Sequence, residues 1–310
     1  MFKAREYKRV ESLEEAYELN QKKSNKIVGG MMWLKMSSFQ KGTIIDLSGL
    51  GLNQIEETEN EFQIGCMCTL RQLETNTDLN RYFDGLMREM VRHIVGVQFR
   101  NGATVGGSLY GRYGFSDVLT ALLVLDTEVE LYKAGRISLT EYANMPYDND
   151  ILVRIIIKKD GRKAAYVTQR RTETDFPLIA VAAAKKDDTW YTAVGARPAR
   201  ASLVTEADQG SAEELAEKIA DQYRYGTNLR GSAEYRKALA QIYIRRLVDE
   251  ITKFMPAEII CNQSFLLCGI DVEDLRTRLH ICVNALEDWY FDDDICRRTL
   301  QEQFHAATME

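Results

Sequence analysis

Apolar positions recur at two different periods along this 310-residue chain, and the changes of period divide it. Ser12-Leu-Glu-Glu15 has the spacing of a capping box and predicts a helix running to about Lys22. Ile27-Val28 predicts a short strand that stops at Gly29-Gly30, and Thr43-Ile-Ile-Asp46-Leu47 predicts a second one. Residues 1–55 therefore read as a small α/β lobe. Residues 62–69 alternate at period two, a strand with Cys66 and Cys68 on one face. Leu86, Met90, Ile94 and Val95 recur at helical spacing, so residues 69–95 read as helical. Five glycines within residues 101–114 predict turns with exposed backbone rather than the interior of an element. Ser116-Asp117 then caps an apolar helix over 118–125. A strand over 127–132, a capping box at Ser138-Leu-Thr-Glu141 and a strand over 151–158 complete a second unit, residues 56–160.

Strands over 164–171 and 178–185, joined by a charged turn, open a third unit, residues 161–254. Ser211-Ala-Glu-Glu214 starts a helix, and Ser232 caps a longer one over about 233–254. Leu239, Ile242, Tyr243 and Ile251 form its apolar stripe, read as a packing face. Residues 255–310 read as a helical extension without an assigned role, with an amphipathic helix around 272–290. Its Asp292-Asp293-Asp294 lacks the glycine and remaining ligands of a calcium loop and reads as a solvated turn. The whole is an α+β chain.

Composition narrows the function classes. At 45% hydrophobic and 28% charged residues the chain is ordinary globular protein. Forty basic against 46 acidic residues give a net charge of −6, without the basic excess of a nucleic-acid binder. No run of about 18 apolar residues exists to cross a membrane, and the first residues lack the apolar core of a signal peptide, so the expected location is the cytoplasm. Six cysteines without a Cys-x-x-Cys pair read mainly as buried, unreactive thiols. Convergence of Cys261, Cys268, Cys282 and Cys296 on a metal or cluster is the minor alternative, and no metal site is assigned. The zinc-protease, serine-hydrolase, P-loop and Rossmann motifs are all absent. His93, within a helical pattern, reads as structural.

Two glycine segments carry the candidate chemistry. Val28-Gly29-Gly30 ends a strand, where glycine allows a sharp turn and exposed N–H groups can form an anion nest. Thr104-Val-Gly-Gly-Ser108 is a second glycine turn, with two hydroxyls to add hydrogen bonds. Asp117 fits either a hydroxyl-reading carboxylate, as in dinucleotide sites, or a helix cap. Two anion-binding turns and such an acid suit a pyrophosphate-bridged dinucleotide.

The run Arg100-Asn-Gly-Ala-Thr-Val-Gly-Gly-Ser108, followed by Ser116-Asp117-Val-Leu-Thr-Ala-Leu-Leu-Val-Leu-Asp126, resembles the FAD-binding medium subunit of the molybdenum hydroxylases, the flavoprotein family of xanthine dehydrogenase and carbon monoxide dehydrogenase. Val28-Gly29-Gly30, Ile45-Asp46-Leu47 and Ile64-Gly65 follow that family's order. Leu229-Arg-Gly-Ser-Ala-Glu-Tyr-Arg236 resembles its C-terminal domain. The resemblance implies two α/β subdomains of the vanillyl-alcohol-oxidase kind gripping FAD, then an α+β domain. It implies FAD contacts from Val28, Gly29, Gly30, Met31, Met32 and Trp33, from Thr104, Val105, Gly106, Gly107 and Ser108, and from Asp117, with Leu152 near the flavin. It also implies an electron-transfer role without a catalytic residue in this chain. Electrons would pass from iron–sulfur clusters through FAD to NAD or another acceptor, in a complex with a molybdopterin-binding large subunit and an iron–sulfur small subunit. A stand-alone FAD oxidoreductase and a flavin-free scaffold are the alternatives. Met31-Met32-Trp33 stands where relatives often carry small polar residues, and Val167 where some carry a lysine. Tyr110 and Tyr113 flank the second glycine segment and are placed to cover an aromatic ring system.

Overall fold

The structure is a computed structural model that describes residues 2–38 and 40–253. The helical extension expected over 255–310, with its aspartates and four cysteines, lies outside the described residues. The first lobe holds β1 (Lys3–Arg9), α1 (Leu13–Asn20), β2 (Lys26–Val28) and β3 (Gln40–Asp46). Its sheet is parallel, in the order β1-β3-β2. The polar sequence of β1 shows no alternation and predicts no strand. It forms through its register with β3, from Lys3 opposite Gln40 to Arg9 opposite Asp46, while its side chains stay mostly in water. Ser12 caps α1 by accepting from the Glu15 N–H, but the Glu15 carboxylate turns to the Glu11 N–H, so only half of the expected capping box forms.

The second unit runs through β4 (Ile55–Glu57), β5 (Glu61–Gly65), α2 (Leu70–Thr75), α3 (Thr77–Tyr82), α4 (Leu86–Val91), α5 (Val97–Gly102), α6 (Val105–Tyr110), α7 (Asp117–Leu122), β6 (Thr127–Leu131), β7 (Gly135–Ser138), α8 (Leu139–Asn144) and β8 (Leu152–Lys158). The strands form an antiparallel sheet, β4-β5-β8-β6-β7. Three expectations need correction. The helical region 69–95 is three short helices, because Asn76 turns extended to cap α3 and Asp84 and Gly85 adopt positive φ of 49° and 83°. Cys66 and Cys68 do not share a strand: β5 ends at Gly65, and the Cys68 N–H closes a turn onto the Gly65 carbonyl. The glycine-rich stretch is largely helical, since α6 passes so close to the chain after β5 that only glycine fits. A Cβ on Gly106 would lie 2.6 Å from the Cys66 carbonyl oxygen.

β9 (Lys163–Gln169), β10 (Ile179–Lys186), β11 (Thr189–Gly195) and β12 (Ser202–Ala207) form the third sheet, antiparallel in the order β12-β11-β10-β9. Strand β10 is buried on both faces. Ile179, Val181 and Ala183 meet α9 (Ala212–Asp221) and α10 (Ala233–Lys253), while Ala182 and Ala184 join the core of the second unit. The buried face of α10 is Ala240, Tyr243, Ile244, Leu247, Val248 and Ile251. Tyr243 and Ile251 are where the stripe placed them; Leu239 is only partly covered and Ile242 is exposed, off the face that the three- and four-residue spacing selects.

Arg236, 1% exposed, ties α10 to the sheet by donating to the Leu178 and Ala196 carbonyls and to Asn228 Oδ1. Arg236→Ala leaves these acceptors unpaired and is expected to lower unfolding stability by about 3 kcal/mol; urea denaturation measures it, and an unchanged midpoint would contradict the assignment. Burial pushes the Cys66 thiol up to about 12 and the Cys68 thiol up to about 11. Neither is expected to react with iodoacetamide at pH 8 in the native protein. Peptide mapping reads this residue by residue, and native labelling as rapid as in urea would refute it.

Candidate functional site

The end of β2 meets the junction of α5 and α6. An added Cβ at Gly30 would lie 1.4 Å from the Gly102 carbonyl oxygen, and one at Gly29 would lie 2.3 Å from Thr104 Oγ1. The two glycine segments, some 75 residues apart in sequence, are thus in backbone contact. Met31 follows with φ of 57°, a conformation L residues seldom adopt outside constrained turns. The N–H groups of Gly30, Met31, Met32 and Trp33 donate to no acceptor among the described residues. A run of successive free N–H groups around a left-handed residue is an anion nest.

The second segment works differently from the turn expected of it. Its N–H groups are already taken: Val105 donates to the Cys68 carbonyl, Gly106 to the Cys66 carbonyl, Gly107 to Thr104 Oγ1 and Ser108 to the Thr104 carbonyl. The Ser108 hydroxyl also donates to the Thr104 carbonyl. Gly107 is exposed and Ser108 half-buried, while Thr104, the cap of α6, is buried against Gly29.

These elements enclose a cleft of about 500 Å³, within the ordinary size of a small-molecule site. Val28, Gly29, Gly30, Met31, Met32, Trp33, Thr104, Gly107, Ser108 and Asp117 line it. Gly106 and Leu152 face a neighbouring hollow of about 70 Å³ that shares Val28, Gly29 and Thr104 with the cleft. Val105 points into the core and lines neither. One end is aromatic. Trp33 stacks on Phe176 at 5.3 Å and meets Phe99 and Phe115 edge-on, and Tyr113 stacks on Phe115 at 5.2 Å. Tyr110 also borders the cleft, while Val167 packs toward the α9 and α10 core instead.

Asp117 is the first residue of α7, but the cap is Ser116, whose hydroxyl accepts from the Leu119 N–H. The Asp117 carboxylate is buried at the cleft wall, where its Oδ1 accepts from the Tyr166 hydroxyl at 2.5 Å and from the Arg170 guanidinium. Burial pushes the Asp117 carboxyl up, against the pull of Arg170 and Tyr166, and burial with the adjoining carboxylate drives the Tyr166 phenol well above its ordinary range. The sequence reading missed Arg170 and Tyr166, which lie about 50 residues from Asp117 with no local signal. It also missed Lys26, Phe99, Phe115 and Phe176. His93, read as structural, borders the cleft; burial pushes its pKa down, and its Nε2 accepts from Arg92.

Among the described residues no cluster of His, Cys, Asp or Glu is arranged to hold a metal, and no helix is long and apolar enough to cross a membrane.

A turn of free N–H groups beside an aromatic-walled cleft, joining two α/β lobes, is the architecture of a dinucleotide-binding protein. Residues 2–159 match the family described as the FAD binding domain in molybdopterin dehydrogenase. The chain belongs to that family, and FAD is its cofactor. It is 25% identical to uncharacterized protein YgfM of Escherichia coli (strain K12), over 77% of this chain and 93% of that one. It is also 25% identical to the glyceraldehyde dehydrogenase medium chain of Sulfolobus acidocaldarius, over 79% and 97%. A separate 66-residue match, 46% identical, covers 21% of this chain and only 7% of DNA mismatch repair protein MutS of Lachnoclostridium phytofermentans. Quinoline 2-oxidoreductase from Pseudomonas putida 86 has the same fold, with a TM-score of 0.70 at 18% identity, covering 81% of this chain and 96% of that one.

Gly30→Ala drives a methyl group into the Gly102 carbonyl. The expected cost is about 1–3 kcal/mol of stability, read by urea denaturation without added flavin; a variant as stable as the wild type would show that the close approach is not required.

Proposed function

We propose that this cleft is the FAD site and that the chain is the medium, electron-transferring subunit of a molybdenum hydroxylase. The observation that carries the reading is the contact of Gly30 with Gly102, because it sets four free N–H groups at the rim of a cleft with an aromatic end. The residues present suit the cofactor: an anion nest for a pyrophosphate, hydroxyls at Thr104 and Ser108, a buried carboxylate at Asp117 for sugar or ribityl hydroxyls, and flat rings for a flavin or adenine. FAD supplies one- and two-electron redox chemistry when bound. The chain's own part is to hold it, keep water from its rings and fix the charge around it.

The three sheets correspond, in this reading, to FAD-binding subdomains over 1–55 and 56–160 and a C-terminal domain over 161–254. A molybdopterin-binding large subunit and an iron–sulfur small subunit are the proposed partners, NAD or another oxidant the proposed acceptor, and the cytoplasm the proposed location. Relatives named as a medium chain and a medium subunit, matched over 97% and 94% of their own lengths, support the assignment.

Purified protein is expected to show flavin absorption bands and to release FAD on denaturation. If the buried Asp117 carboxylate accepts hydroxyl hydrogen bonds from FAD, Asp117→Ala is expected to weaken FAD binding by about 1–3 kcal/mol. Fluorescence titration of the FAD-free protein measures this. A wild-type chain that binds no FAD would sink the proposal, and a folded variant of unchanged affinity would remove Asp117 from the site.

A further inference from the structure

The charges lining the cleft cancel in pairs, with one exception. Arg170 is neutralised by Asp117, and Asp175 pairs with Arg230 at 2.7 Å. Lys26, on β2 two residues before the end of the strand, lines both the cleft and the neighbouring hollow and has no ion-pair partner among the described residues. Its Nζ rests over the Tyr110 ring, 4.7 Å from the centroid. Burial is what pushes its pKa down, with no carboxylate opposing. A cation taken partly out of water without a counter-ion is costly, and Lys26 lines the same cleft as Gly30, Met31, Met32 and Trp33, whose N–H groups have no acceptor among the described residues.

Resting on the FAD reading above, we infer that Lys26 is a phosphate-binding residue of this site: its ammonium supplies the charge that the backbone nest lacks. The nest contributes direction through fixed N–H dipoles, and Lys26 contributes a full positive charge on a flexible stem. Stacking on Tyr110 holds that charge in place until an anion arrives. The residue has no sequence signature, because a lysine two positions before a strand end looks like any solvated edge charge. Only the pairing of its neighbours identifies it.

The test is FAD titration of the cofactor-free full chain at several sodium chloride concentrations, for wild type, Lys26→Met and Lys26→Arg, with folding checked by circular dichroism. Lys26→Met is expected to raise the Kd about 10- to 100-fold and to flatten its salt dependence, and Lys26→Arg to restore most of both. A folded Lys26→Met with wild-type Kd and salt dependence overturns the assignment while leaving the FAD reading intact. A weaker Lys26→Met whose salt dependence is unchanged also overturns it, because the lysine then acts by packing on Tyr110. A wild-type protein that binds no FAD overturns the reading itself. Lys26→Gln replaces Lys26→Met if the latter does not fold.

Discussion

The backbone contact between Gly30 and the Gly102 carbonyl is the constraint on which the site depends. It admits no side chain at Gly30, and it joins the end of a parallel strand in one lobe to the end of a short helix in another. Because the Gly102 carbonyl sits against the turn, the chain cannot continue straight. Met31 takes the left-handed conformation, and the N–H groups that follow point away from protein acceptors. The nest therefore lies where the end of β2 packs against the end of α5. Met32 extends the contact: its sulfur lies where a Cβ on Gly102 would need to be, at 2.7 Å.

What holds Gly102 in place is electrostatic. Arg100, on α5 and buried, makes a two-pronged bond to the Glu74 carboxylate at 2.7 and 2.9 Å. It also donates to the carbonyls of Ile94 and Val95, where Val95 turns with φ of 51°. Burial pushes the Glu74 carboxyl up, but Arg100 and Arg71 outweigh it and leave it below the ordinary range, so Glu74 is ionised at neutral pH. A fully formed buried pair is a poor source of net stability, yet losing either partner is costly. Its value here is geometric, since it ties the C-terminal half of α5 to α2 and so fixes the position of Gly102. Asp117 and Arg170 do the same at the opposite wall, clamping α7 to the end of β9.

Much of this was legible in the chain, and the parts that were not share a physical cause. Gly30 and the Thr104-to-Ser108 segment stand out because close backbone approach demands glycine, and that demand is local in sequence. The strands β5 and β6 were readable because one buried face imposes a period of two, and β8 because burial on both faces makes it a nearly continuous apolar run. Strand β1 was not, since its side chains are exposed and only its backbone is committed. Three helices replaced one over 69–95 because Asn76, Asp84 and Gly85 have conformations that apolar periodicity does not encode. The glycines of α6 suggested a turn, but helix–backbone packing uses the same residue for the same absence of Cβ. Arg170, Tyr166 and Phe176 could be found only by folding, as their partners lie far along the chain.

The departure at Met31-Met32-Trp33 follows from the division of labour between backbone and side chain. Where the phosphate donors are N–H groups, the side chains at those positions are free to vary, provided that the turn survives. Here they have gone apolar, and the change is not neutral for the rest of the cleft. Met32 seals the Gly102 contact, while Trp33 lies on Phe176 and completes an aromatic end made from four separate segments. In the FAD reading proposed above, the polar hydrogen bonds that small side chains would add near the phosphates are absent. Lys26 lines the same cleft and has no ion-pair partner among the described residues, and on the proposal above its charge takes the place of those neutral donors. On that proposal recognition shifts from many short contacts toward one cation, a rigid backbone and flat apolar surfaces.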